Sequence, residues 1–85
     1  SLSISNENQD EVFYQRGLAK QEKGKYIGAI EDFTEAINLN PNNEIYFLDR
    51  GICKKLIGDC KGAIEDYTKG IEININNEYL YFHRG

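Results

Sequence analysis

The chain has 85 residues, 40% of them apolar and 28% charged, the balance of one small globular domain rather than of a disordered or fibrous chain. Its net charge is −4 with no basic stripe, which argues against a nucleic-acid surface, because phosphate contacts need clustered Lys and Arg. No apolar run approaches the roughly 20 residues that span a bilayer, so no membrane partner is expected.

In chain order, residues 1–9 have neither the basic start nor the long apolar middle of a secretory signal, and they are expected to form a flexible or capping segment. From Asp10 onward a helical spacing sets in. Phe13, Gly17 and Lys20 mark a first helix, and Gly24 turns the chain. Tyr26, Ile30, Phe33 and Ile37 then mark a second helix, with Ala29 and Ala36 beside them. Lys25 is a poor N-cap for that helix. Asn40, Pro41, Asn42 and Asn43 close the unit, since proline cannot continue a helix and asparagine caps the next one.

The pattern then starts again. "GAIEDFTEAI" at Gly28–Ile37 returns as "GAIEDYTKGI" at Gly62–Ile71, 34 residues later. At the same offset Phe13 matches Phe47, Arg16 and Gly17 match Arg50 and Gly51, Lys20 matches Lys54, Gly24 matches Gly58, and Asn40 matches Asn74. The units are residues 10–43 and 44–77, and residues 78–85 open a third first helix in which Tyr81 takes the Phe13 position. Asp59 is a better N-cap than Lys25, whereas Ile75 in place of Pro41 weakens the stop signal of the second unit. A start without Met and a third unit broken off early predict a fragment of a longer protein.

The small residues carry as much information as the large ones. Glycine inside a helix costs about 1 kcal/mol relative to alanine, yet Gly17, Gly51 and Gly85 recur at one repeat position. Close helix approach is the expected reason, with Phe33 or Tyr67 filling the space that a missing side chain leaves. Arg16 and Arg50 stand beside these glycines and are expected to pair with Asp32 and Asp66, or to reach the next unit. Cys53 and Cys60 are seven apart in a chain with one histidine, too few ligands for zinc, and are expected to be inert buried thiols in a reducing cytosol. There is no nucleophile elbow or phosphate loop, and His83 has no partner pattern, so no catalytic residue, metal or cofactor is expected. The acidic pairs Glu31–Asp32 and Glu65–Asp66 share one repeat position, which points to structure rather than acid–base chemistry.

A 34-residue unit with Phe13, Gly17, Ala29, Phe33, Ala36 and Pro41 at these places, echoed by Phe47, Gly51, Ala63, Tyr67 and Gly70, resembles the tetratricopeptide repeat. The resemblance implies an all-α fold of antiparallel helix hairpins stacked in a right-handed superhelix. It further implies a non-enzymatic scaffold of the cytoplasm that holds a peptide or helix of a partner in a concave groove lined by the first helices. At the groove positions stand Tyr14 and Leu18, then Ile45, Leu48, Asp49, Ile52 and Leu56, followed by Tyr79, Phe82 and His83. Several are apolar, and burying each on a partner is worth roughly 1.5–3 kcal/mol. The branch of the family that clamps the carboxylate tail of heat-shock chaperones uses Lys and Asn there. Tyr14, Leu18, Asp49, Tyr79 and His83 cannot form such a clamp, so no binding of that kind is expected. The alternative reading is self-association through the array or its exposed end.

Overall fold

The computed structural model describes the backbone of residues 8–84 and the side chains of residues 8–77. Four helices follow one another: α1 (Gln9–Glu22), α2 (Tyr26–Leu39), α3 (Glu44–Leu56) and α4 (Cys60–Arg84). Each packs on the next, α1 on α2, α2 on α3 and α3 on α4, so the chain is a row of antiparallel hairpins with no strand among the described residues.

The turns lie where local chemistry places them. Gly24 and Gly58 take φ of 79° and 91°, the left-handed region open to glycine, and end α1 and α3. Asn43 accepts a hydrogen bond from the Ile45 amide at 2.9 Å and caps α3. Asp59 accepts from the Gly62 amide at 3.0 Å at the start of α4, while Lys25 gives α2 no side-chain cap. The expected stop between the second and third units is not there: α4 runs unbroken from Cys60 to Arg84. Pro41 ends α2 near its place in the first unit, whereas Ile75 keeps its amide for the helix and lets α4 continue.

Two apolar clusters hold the row together. One joins Ala36 and Ile37 of α2 to Tyr46 and Phe47 of α3 and Ile73 of α4, with Phe13 and Tyr14 against it. The other joins Ala29 and Phe33 of α2 to Cys53 of α3, with Leu18 and Tyr14 against it. Both clusters therefore cross the junction between units. Within each hairpin the contact is made at glycine, where a Cβ on Gly17 would lie 2.5 Å from the Phe33 ring and one on Gly51 2.8 Å from the Tyr67 ring.

Cys53 is fully buried and Cys60 is exposed, which corrects the expectation that both thiols are covered. Cys60 stands at the first turn of α4 where the first unit has Tyr26, and no described residue closes over it at that end of the hairpin. Burial pushes the Cys53 thiol up to about 11, with the Asp49 charge adding to it.

Candidate functional site

The first helices α1 and α3 lie side by side and are tied by polar contacts. The Tyr14 hydroxyl donates to Asp49 Oδ2 at 2.5 Å, and the Tyr14 ring sits 5.0 Å from that of Tyr46 and 5.7 Å from that of Phe33. Burial, then the Asp49 carboxylate, push the Tyr14 hydroxyl up to about 12. At the N-terminal ends Asp10 accepts from the Tyr46 hydroxyl at 2.7 Å and from the Asn40 amide at 3.2 Å. The Tyr46 hydroxyl, followed by the Asn40 amide, holds the buried Asp10 carboxyl below its ordinary value in spite of desolvation. The second unit repeats part of this device, with Asn74 donating to Glu44 at 2.7 Å. Reading the pattern forward missed this network, although Asp10–Asn40 and Glu44–Asn74 are the same pair at the repeat offset.

These contacts sort the groove residues. Tyr14 is engaged by Asp49 and two rings, and Leu18 is half-buried against the cluster that contains Cys53. Leu48 leans on α4, its Cδ2 2.9 Å from where a Cβ of Gly70 would stand, so it belongs to the hairpin interface rather than to a free surface. What α3 leaves open is a stripe at positions i, i+7 and i+11: Ile45 at 44% exposure, Ile52 at 38% and Leu56 at 53%, with Asp49 in the gap between Ile45 and Ile52. On α1 the corresponding places are Glu11, Gln15, Leu18 and Glu22. Ile45, Ile52 and Leu56, all expected on this face, form the apolar ridge. Tyr79, Phe82 and His83 fall within α4, and their side chains lie outside the described residues.

The structure brings each expected arginine to its aspartate, with different quality. Arg50 is bidentate on Asp66, at 2.8 Å from Nε and 2.7 Å from Nη2, and its Nη1 donates to Thr34 of the preceding unit at 3.1 Å. Arg16 is 3.7 Å from Asp32 and largely exposed. A second cation was missed in both units: Lys20 lies 3.0 Å from Asp32 and Lys54 3.2 Å from Asp66. The expectation had placed Lys20 in the apolar stripe of its helix. Its recurrence as Lys54 beside a recurring aspartate was the signal. Asp32 Oδ2 makes no directed hydrogen bond, so charge alone ties it to Lys20.

No group of three His, Cys, Asp or Glu side chains among the described residues could hold a metal ion. No helix among the described residues is long and apolar enough to cross a membrane. A shallow open depression is lined by Gly24 to Gly28 and Ile57, with Lys25 its one charged group. Among the described residues the arrangement offers surface to bind with and no convergent set of acid, base and nucleophile. Compared with known proteins, residues 11–43 match the family model described as tetratricopeptide repeat. No curated protein matches the chain.

Proposed function

We propose, from the chain's membership of the tetratricopeptide repeat family, whose repeats are protein-interaction modules, that it acts as a scaffold holding a segment of another protein against α1 and α3. The observation that carries this reading is the ridge of Ile45, Ile52 and Leu56, three large apolar side chains left in solvent on one face of α3. Folding does not need them there, because the clusters on either side of α3 are built from Tyr46, Phe47 and Cys53. The ridge is flanked by acids: Asp49 sits within it, and Glu11 and Glu22 stand at the matching places on α1. A partner segment with two or three apolar anchors and flanking Lys or Arg is complementary to it. A free carboxylate tail is not, since Tyr14 and Asp49 fill the places where a cationic clamp would stand and are bonded to each other. Work of this kind requires no cofactor, and we place it in the cytoplasm.

The test is a peptide array of apolar segments with basic or acidic flanks, probed with the chain and with Ile52→Glu. Binding of the basic-flanked peptides that is lost in Ile52→Glu, and that weakens with salt, is the expected result. Capture unaffected by both Ile52→Glu and Leu56→Glu would place the binding surface elsewhere and overturn the reading.

A further inference from the structure

The junction between α2 and α3 has a definite chemistry. Tyr46, Arg50 and Cys53 form one stripe of α3, and they cover Phe33, Thr34 and Ile37 of α2. Shifting that stripe back by one repeat gives Val12, Arg16 and Ala19 on α1, and shifting the covered set forward gives Tyr67, Thr68 and Ile71 on α4. Apart from Tyr67, half-buried against Gly51, both shifted sets are bare. Val12 is 45% exposed where Tyr46 is 2%, and Ile71 is 55% exposed where Ile37 is 8%. Ala19 and Thr68 are exposed as well.

We propose that a second copy of this chain stacks head to tail on the first, its α1 stripe laid on the α4 stripe as α3 is laid on α2. The occupant is a second copy because the two bare faces carry the two halves of an interface that the chain already makes with itself. Arginine and threonine, the polar pair that sets its register, recur on opposite ends as Arg16 and Thr68. The geometry of the arginines agrees. Arg50, with Thr34 on its far side, is held at 2.7 Å from Asp66, while Arg16, which makes no such contact among the described residues, stands 3.7 Å from Asp32. In the stacked pair Arg16 would donate to the neighbouring copy's Thr68 and draw in on its own Asp32. Such a contact joins unlike surfaces and does not close on itself, so each added copy leaves a free head and a free tail. Ile52, Leu56 and Ile45 lie on another face of α3, and stacking would lengthen the groove of the proposed function without covering it.

The experiment is sedimentation of the chain from micromolar to millimolar concentration, together with Val12→Glu, Ile71→Glu and an equimolar mixture of the two. The expected result is a mass that climbs past the dimer for the chain itself and stays at monomer for each variant alone. The mixture, with one sound head and one sound tail, should stop at the dimer. A chain that remains monomeric, a wild-type assembly that halts at a closed dimer, or a mixture that does not pair would overturn the proposal. Both substituted positions are exposed, and circular dichroism checks that each variant folds; Ala19→Glu replaces Val12→Glu if it does not. Ile52→Glu should leave the assembly intact, which separates this contact from the groove.

Discussion

Replacing Gly17 with alanine tests the close packing inside the first hairpin. In an open helix the change stabilises by about 1 kcal/mol, because alanine has less backbone freedom to lose. Here the new Cβ would lie 2.5 Å from Phe33 Cε1 and 2.7 Å from Cδ1, against a comfortable carbon separation of roughly 3.5–4 Å. Phe33 is fully buried, so its ring has no empty space to swing into, and the helices must part by about 1 Å. Overpacking of that kind costs about 1–3 kcal/mol, and a rigid neighbour puts this site at the upper end. The net expectation is a loss of roughly 2 kcal/mol, or a fall in Tm of about 8–16 °C for a domain of this size. Urea and thermal unfolding followed by far-ultraviolet circular dichroism measure it. The control is Gly17→Ala combined with Phe33→Leu: the smaller side chain relieves the overlap, so the double variant should be more stable than the sum of the single effects by about 1–2 kcal/mol. A Gly17→Ala protein more stable than the parent, or strict additivity in the double variant, would refute the reasoning.

Three further outcomes follow from the polar contacts and the thiols. Arg50→Leu should cost about 3 kcal/mol in denaturant unfolding, because it strips a bidentate partner from the buried Asp66, whereas Arg16→Leu should cost less than about 1 kcal/mol at its exposed, longer contact. Tyr14, pushed up to about 12 by burial and Asp49, contributes stability that is complete below the ordinary tyrosine value and lost as pH rises through about 12. Spectroscopic titration of Asp49→Asn should show its pKa falling only part of the way back, because burial is the larger cause. With a chromogenic thiol reagent, Cys60 should react at once in the native protein and Cys53 only at the rate of unfolding.

Much of the fold was legible because the repeat states it twice. A 34-residue offset fixes both hairpins, and the glycines at its eighth position point to where the helices touch. The site was less legible, because a position's role depends on its neighbour as well as on its own residue. Tyr14 and Leu48 hold the same repeat position, but Tyr14 is long enough to reach α3 and bond Asp49, while Leu48 settles against Gly70. Counting apolar residues on the first helices therefore overstated the free surface at those two places, while Ile45, Ile52 and Leu56 from the same count are exposed. The lysines were hidden by the same method, since Lys20 sits at a spacing that reads as core until the buried aspartate it serves is known.

The unequal burial of matched residues shows what one unit does for the next. Ile37 of α2 and Ile71 of α4 have the same identity and the same place in the repeat, yet one is 8% and the other 55% exposed. Ile37 lies under Tyr46 and Phe47 of α3, and Ile71 has no such cover among the described residues. Leu18 and Ile52 form a similar pair, the first half-buried beside Cys53 and the second open. Core in this chain is thus a property of a junction, as expected when stability is a sum of units and nearest-neighbour interfaces. The consequence is measurable within one molecule. Ile37→Ala removes a buried side chain and should cost about 2–5 kcal/mol, whereas Ile71→Ala in the monomer should cost under about 1 kcal/mol, as exposed substitutions do. If head-to-tail stacking buries Ile71, that second value should rise with protein concentration while the first stays constant. Equal costs at every concentration would mean that the local helix, rather than the junction, determines what each isoleucine contributes.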